Sequence, residues 1–250
     1  MAVADLRGTT TLVGLLGDPV AGSLSPRMQN AAFGAAGLDW AYVALPVTTE
    51  RLGEAVRGLV ALGFAGANVT IPHKRAVVEL CDELDPVAER AGSVNTLVIR
   101  GGLVLGSSTD GAAVAGAIEA GGAQCLVLGA GGAAQAVIAA LRAAGAAAVD
   151  VISRRDPGWP PSGAGADVIV NATPVRDDAL VAPRSSQQVV DLAYRADGQP
   201  TALVAAARAA GCARVVDGLD VLVRQGADSF ERWTGVPAPI EAMRAALRDG

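Results

Sequence analysis

The sequence predicts an α/β protein, and three observations carry that expectation. Short β-rich runs alternate with amphipathic segments along the chain, the pattern of helices layered on sheets. The composition is 51% hydrophobic but only 3% aromatic, so Ala, Gly and Val must fill the core, which suits close helix–sheet packing. Gly129-Ala-Gly131-Gly-Ala-Ala134 sits between an apolar run and an Ala-rich run, as a turn between strand and helix would.

The elements follow in order. Thr9 to Leu16 is a β-rich run. After a Gly/Pro loop, Ser25-Pro26 opens a helix with a cap residue and Pro at the first helical position. Trp40 to Leu45 reads as a second strand, Thr49 as the cap of a helix to about Leu62, and Phe64 to Ile71 as a third strand. Pro72 starts the next helix, with Val77, Leu80, Cys81 and Leu84 on one face. Val94–Arg100, Gly101-Gly102 and Leu103–Ser108 read as a β-hairpin with a two-residue turn. Pairing Arg100 with Leu103 puts Asn95 opposite Ser108, at the same end as Thr109-Asp110. A second unit starts near Gly111. It holds strands at Gln124–Leu128, Ala147–Ser153, Asp167–Asn171, Val189–Leu192 and Arg214–Val216, with helices after Gly129 to Ala144 and over about Thr201–Ala210. Two helices, about Asp220–Trp233 and Pro239–Leu247, end the chain.

The net charge of −5 argues against a nucleic-acid partner. Cys81, Cys125 and Cys212 have no paired spacing and read as buried thiols of a reducing compartment, and no metal site is expected. The first residues show no basic stretch followed by a long apolar segment, and the apolar region Cys125–Val149 is broken by Gln135, Arg142 and glycines. A cytoplasmic protein without a membrane partner is expected, as a monomer or homodimer.

Gly129-x-Gly131-x-x-Ala134 fits a dinucleotide fingerprint with Ala at its third small position. The first Gly permits the tight turn, the second lets a pyrophosphate approach the backbone, and the third small residue packs helix on sheet. The helix N-terminus offers free N–H groups to the phosphates. An ordinary tight turn is the alternative, and the strand–turn–helix context favours cofactor binding at Gly129, Ala130, Gly131, Gly132 and Ala133. The next strand ends Ser153-Arg154-Arg155. Two guanidiniums suit a 2′-phosphate and no carboxylate for a ribose diol is evident, so NADP is expected, with Ser153 and Arg154 on the phosphate and Arg155 assisting.

Lys74 is the one lysine and His73 the one histidine; every other basic residue is arginine. An amine can release its proton where a guanidinium effectively cannot, so Lys74 is a candidate for proton transfer. It falls in the first turn of the expected helix, whose positive end disfavours an ammonium. Asp110, at the mouth of the hairpin, is the best-placed carboxylate to orient the amine. His73 is the second candidate carrier.

These residues carry a resemblance to the shikimate dehydrogenase family along almost the whole chain. Ser23-Leu-Ser25-Pro looks like the family's substrate-carboxylate loop. Asn68-Val-Thr70-Ile-Pro-His-Lys74 matches its most specific motif, with the catalytic Lys and a substrate-binding Thr. Gly92-Ser-Val-Asn95-Thr and Ser108-Thr-Asp110-Gly resemble the segments with the hydroxyl-binding Asn and the Asp that partners the Lys. Asn171-Ala-Thr173-Pro resembles the cofactor-side loop, Asp191-Leu-Ala-Tyr194 carries the family's Tyr, and Gln225-Gly-Ala-x-Ser-Phe-Glu-x-Trp-Thr-Gly235 matches the C-terminal motif, whose Gln reaches substrate.

The resemblance implies a fold of two α/β domains. A split N-terminal substrate domain, residues 1–109 plus 218–250, takes an inserted Rossmann-type dinucleotide-binding domain, residues 110–217. It implies Lys74 and Asp110 as catalytic, and Ser23, Ser25, Thr70, Asn95, Tyr194 and Gln225 as ligands of a cyclic hydroxy acid. Thr173 and Gly218 join the cofactor side, although Asp217-Gly218 by itself reads as a turn. Taken alone, Thr70 could cap a helix and Asn95 could satisfy strand ends.

Gly22, Gln29, Ser108, Arg176-Asp177 and Val221 depart from the family pattern. Such changes would also suit a paralogue acting on quinate or aminoshikimate, or a ligand-sensing homologue without turnover. The retained Lys74 and Asp110 argue for turnover.

Overall fold

The computed structural model describes residues 6–248. They pack as two units, residues 6–109 with 225–248, and residues 110–224.

In the first unit, β1 (Thr11–Gly17) pairs in parallel with β2 (Trp40–Pro46) on one side and β3 (Gly66–Val69) on the other. The helices α1 (Ser25–Ala35) and α2 (Leu52–Ala61) make the two crossovers that parallel pairing requires. After β4 (Glu83–Leu84) and α3 (Pro86–Ala91), β5 (Thr96–Arg100) returns antiparallel to β3 and forms a hairpin with β6 (Leu103–Ser107). The strand order is β2-β1-β3-β5-β6-β4. Arg100 pairs with Leu103 across Gly101-Gly102, whose φ values of +59° and +84° suit a primed two-residue turn.

Side-chain alternation sorts this sheet into two faces. Leu16, Ala67, Val69 and Leu97 pack with Leu52, Val56 and Leu59 of α2. The residues between them, Tyr42, Gly66, Asn68 and Thr96, face the other way and meet C-terminal side chains. A Cβ on Gly66 would lie 2.1 Å from the Leu97 carbonyl oxygen and 2.6 Å from Trp233 Nε1. Trp233 Nε1 itself donates to Leu97 O at 2.9 Å. Gly66→Ala is therefore expected to cost about 3 kcal/mol, seen as a fall in the urea midpoint at unchanged slope.

The structure corrects the helix expected from Pro72. Residues 71–75 form turns, Ala76–Leu80 a short 3₁₀ segment, and the chain then enters β4. Pairing with β6 takes this stretch: Asp82 N donates to Val104 O at 2.8 Å and Asp82 Oδ2 accepts from Val104 N at 2.7 Å. The apolar spacing 77, 80, 81, 84 mimicked a helix, but tertiary strand pairing overrides it. A real helix, α3, went unread although its signals are legible. Asp85 caps it by accepting from Val87 N and Ala88 N, Pro86 opens it, and Gly92 closes it at φ +55°. Thr49 does not cap α2: residues 49–51 form a 3₁₀ turn and α2 begins at Leu52. Nor does the Ser25 side chain cap α1; its backbone N–H donates to Ser23 Oγ at 3.2 Å.

The second unit opens with α4 (Asp110–Ala115), followed by β7 (Gln124–Leu128), α5 (Gly132–Ala143), β8 (Ala148–Ile152) and β9 (Val168–Asn171). Then come β10 (Gln188–Asp191), α6 (Ala202–Ala209), β11 (Arg214–Val216) and α7 (Gly218–Thr234), which leaves this unit after Arg224. The family resemblance implies that second crossing at 217/218, the start of α7. The last helix, α8 (Ile240–Arg248), lies in the first unit, where it contacts α1.

All pairings here are parallel, in the order β11-β10-β9-β7-β8. Val127, Val168 and Val170 face Val137 and Leu141 of α5, while Leu126, Leu128 and Ile169 face Leu203 and Ala207 of α6. Burial on both faces is why these strands read as unbroken apolar runs. No helix bridges β8 to β9. Trp159 packs on the sheet there, and the buried Gln187 amide donates to Gly163 O at 2.9 Å and Ala166 O at 2.7 Å, fastening the loop. Gln187→Leu is expected to destabilise by roughly 2 kcal/mol, because two carbonyls and the Arg184 N–H lose their partner; a thermal melt checks it.

Candidate active site

In the first unit, topology gathers the predicted substrate residues at one end of the sheet. The carboxyl ends of β1, β3 and β6 and the start of β5 coincide there, since Leu16 pairs with Val69, Asn68 with Thr96, and Thr96 with Ser107. Ser23 and Ser25 follow β1, Thr70 and Lys74 follow β3, Asn95 precedes β5, and Thr109 follows β6.

A buried polar cluster occupies that end. Asn95 Nδ2 donates to Thr109 Oγ1 at 2.8 Å, and Thr109 N donates to Asn95 Oδ1 at 2.8 Å. Gln225 Oε1 lies 3.4 Å from Asn95 Nδ2, and the Gln225 carbonyl accepts from Thr109 Oγ1 at 3.1 Å. Asn95 and Gln225, 130 residues apart, are thus brought together. Asn68 supports them from beneath and was missed as a functional residue, although it opens the motif ending at Lys74. Its amide lies within hydrogen-bond distance of Asn95 O (3.0 Å), Ser229 Oγ (2.9 Å) and Thr96 Oγ1 (3.2 Å), and its oxygen accepts from the Tyr42 hydroxyl at 2.9 Å.

Thr70 does not cap a helix. Its carbonyl accepts from His73 N at 2.9 Å, its N–H donates to Leu16 O at 2.8 Å, and a Cβ on Gly17 would meet its methyl at 2.3 Å. Lys74 sits in this turn and not at an α-helix N-terminus, so the helix-dipole argument made for it does not apply. Its carbonyl accepts from Val94 N at 2.8 Å, which pins the turn to the segment leading into Asn95. His73 is withdrawn as a proton carrier: it is fully buried, with Nε2 2.7 Å from Val47 O. Gln29, a departure from the family pattern, is also fully buried and donates to Gly226 O at 2.9 Å, joining α1 to α7.

In the second unit, β7 and β9 are neighbours although the chain visits β8 between them. This is the topological switch point at which open α/β sheets bind ligands beyond their carboxyl ends. Gly129 sits there at φ +113°, and a Cβ on it would come within 3.1 Å of Ala172 O and 3.2 Å of Thr173 Cγ2. Gly131 precedes α5 in an extended conformation, Gly132 begins the helix, and Ala130 and Ala133 keep some exposure. Ala134 is fully buried, as the third small position of a fingerprint requires. A backbone cradle that side chains would fill, ending at a helix N-terminus, fits a dinucleotide pyrophosphate.

The strand-end reading needs one correction: a carboxylate is present. Asp156 Oδ2 accepts from Ser153 N at 2.7 Å and from Ser153 Oγ at 2.8 Å, and these bonds hold its carboxyl below the ordinary range. Ser153 thus spends both donors on Asp156. Arg154 and Arg155 are exposed.

The ends of β9 and β10 carry a second polar knot. Asn171 Oδ1 accepts from Thr173 N at 3.0 Å and Thr173 Oγ1 at 2.7 Å, while Asn171 Nδ2 donates to Asp191 Oδ1 at 2.9 Å. Asp191 also accepts from Ala193 N, one residue before Tyr194. Gly218 starts α7, and a Cβ on it would come within 2.2 Å of Ala193 O, so close packing explains it. Asp217 Oδ1 accepts from Asp220 N at 3.1 Å, capping α7. Val221 is buried in this unit's core. Asp110, the first residue of α4, is almost wholly buried. Among the described residues no cluster of His, Cys, Asp and Glu could hold a metal ion, and no helix is long and apolar enough to cross a membrane.

Comparison with known proteins identifies the family. Residues 15–97 match the profile of the shikimate dehydrogenase substrate binding domain, and residues 218–248 that of the shikimate 5′-dehydrogenase C-terminal domain. The shikimate dehydrogenase (NADP(+)) of Rubrobacter xylanophilus is 43% identical over 287 aligned positions, covering 99% of each chain. A crystal structure of a shikimate dehydrogenase in complex with NADP+ superposes with a TM-score of 0.88 at 31% identity, covering 100% of this chain and 98% of the other. The Thermus thermophilus shikimate 5-dehydrogenase, in complex with NADP(H) and shikimate, gives 0.83 at 33% identity, covering 96% and 99%. Alignment over nearly the full length, with these motifs in order, makes the chain a member of the shikimate dehydrogenase family.

Proposed function

We propose that the chain is an NADP-dependent oxidoreductase that interconverts shikimate and 3-dehydroshikimate. The observation that carries this reading is the buried Asn95–Thr109–Gln225 cluster beside the clamped turn of Lys74, in a chain 43% identical to a relative named for that activity. Asn95 and Gln225 offer amides to ring hydroxyls, Thr70 offers a hydroxyl, and Ser23 and Ser25 offer hydroxyls to the carboxylate. Tyr194 completes the contacts to the acid.

A nicotinamide held by the second unit would supply the acceptor for the hydride of the carbinol carbon. Lys74 takes the hydroxyl proton as the ketone forms, and Asp110 orients its amine and balances the charge. In reduction the same amine returns the proton. Gly129 to Ala133 carry the pyrophosphate. Because Ser153 is committed to Asp156, the 2′-phosphate falls to Arg154, with Arg155 assisting.

A steady-state panel of shikimate, quinate and aminoshikimate with NADP and NAD tests the reading; shikimate as the poorest substrate overturns it. Arg154→Gln is expected to raise KM for NADP roughly 10-fold or more, the worth of one charge-assisted contact, and to leave KM for NAD unchanged. Equal effects on both cofactors would remove Arg154 from the phosphate.

A further inference from the structure

We propose that Asp191 is a positioning residue for the cofactor side of the reaction: its carboxylate ties the ends of β9 and β10 to the start of α6 and so holds the Thr173 turn in shape. The inference rests on the reading of Thr173 as a cofactor-side residue.

The tie is built from three donors on three segments. Asn171 Nδ2, at the end of β9, donates to Oδ1 at 2.9 Å. Ala193 N, past the end of β10, donates to the same oxygen at 2.9 Å. Thr201 Oγ1, the cap of α6, donates to Oδ2 at 2.5 Å and accepts from Val204 N at 3.3 Å. Asn171 passes the constraint on. Its Oδ1 takes both donors of Thr173, its Nδ2 also lies 3.3 Å from Val175 O, and Val175 N donates to Thr173 Oγ1 at 3.2 Å. The Thr173 methyl in turn lies 3.2 Å from where a Gly129 Cβ would stand, so the held turn abuts the glycine loop.

Asp191 is fully buried and, among the described residues, pairs with no basic side chain. A structural tie alone would be served as well by a neutral amide, whose burial costs far less than that of a carboxylate without a cationic partner. What the carboxylate adds is charge-assisted strength in all three bonds at once. The titratable group facing it is Asp217, before α7, which itself pairs with Arg208 at 3.1 Å; β9 and α6 face it with the neutral Asn171 and Thr201. Burial pushes the Asp191 carboxyl up to about 6, against the pull of the bonds from Thr201, Ala193 and Asn171. Above that value one anion takes all three donors. Below it, one oxygen carries a proton and the bonds to Asn171 and Ala193 weaken.

Asp191→Asn keeps the shape and removes the charge, so it should behave at every pH like the acid form of the wild type. The folded-state value lies above that of the unfolded chain, so the anion opposes folding at pH 8. The variant should therefore melt no lower than wild type there. At pH 8 its KM for NADP, and its Kd for NADPH read by cofactor fluorescence, should rise about 3- to 10-fold. Its kcat and its KM for the acid should stay within about twofold. As pH falls to about 5.5 the two proteins should converge in Kd. NADP's own 2′-phosphate titrates in this range, so the ratio of the two proteins at each pH is the readout. A folded variant whose Kd and KM for NADP match wild type at pH 8 overturns the proposal, as does an equal change in the KM for the acid. If the variant does not fold, Thr201→Val carries the test: the Kd should rise two- to threefold, and an unchanged Kd overturns the inference. Wild type without NADP-linked turnover would instead overturn the proposed function, a distinct outcome.

Discussion

Lys74→Ala is expected to lower kcat by about 10²- to 10⁴-fold, the usual worth of a positioned general acid–base, while the Kd for NADPH stays within about twofold. Lys74→Arg should be nearly as poor, because a guanidinium supplies the charge but no releasable proton. The reason lies in how this turn is held. His73 N donates to Thr70 O, Val77 N to His73 O and Val94 N to Lys74 O, while the His73 ring is fastened to Val47 O at 2.7 Å. The backbone of Lys74 is therefore fixed on both sides, and the amine should be the one group that its replacement removes. Single-turnover hydride transfer, followed by NADPH absorbance, reads the step directly. Activity within a few-fold of wild type in either variant would end the acid–base assignment, and loss of NADPH binding in parallel would make the effect one of folding.

Asn68→Ala should be the most damaging of the polar substitutions to stability, by roughly 2–4 kcal/mol. Its side chain meets Tyr42, Thr96, Ser229 and the Asn95 carbonyl, and only 6% of it is exposed. Truncation leaves buried donors and acceptors without partners and a small void below Asn95. Activity should fall beyond the stability loss, because the Asn95 backbone is held through that amide. Urea denaturation measures the first effect, and KM for the acid at a temperature where the variant is folded measures the second. Glu54→Gln is the matched control. It removes one partner of the Arg51–Glu54 pair, whose side chains are 75% and 60% exposed, and should change stability by less than about 0.5 kcal/mol. A comparable loss in the control would show that the Asn68 effect is not one of burial.

The hairpin was legible because two adjacent glycines supply the positive φ values that a two-residue turn demands, and that turn sets the register placing Asn95 beside Thr109. The glycine loop was legible for a similar reason: a tight turn after a buried strand needs residues without a side chain, and Gly129 stands within 3.1 Å of the Ala172 carbonyl if given one. The segment after Pro72 was misread because short apolar spacings fit both a helix face and a 3₁₀ turn followed by a strand. Only β6, contributed from twenty residues downstream, offers the backbone partners that decide between them. The carboxylate of Asp156 stood in plain view three residues from Ser153, but nothing in the spelling says that a side chain folds back onto a strand end.

The sequence by itself determined the α/β class, the hairpin register, the glycine cradle, and Lys74, the one lysine, as the candidate for proton transfer. Those are properties of local geometry and of residue chemistry, which neighbours along the chain are enough to specify. Only the tertiary structure decided that Asn68 underlies Asn95, that His73 is locked away, that Ser153 is spoken for by Asp156, and that Asp191 binds three segments together. Each of these depends on which buried polar group finds a partner from a distant segment. A buried donor or acceptor left unpaired costs more than a paired one contributes, so the folded packing, and not the local pattern, assigns the partners.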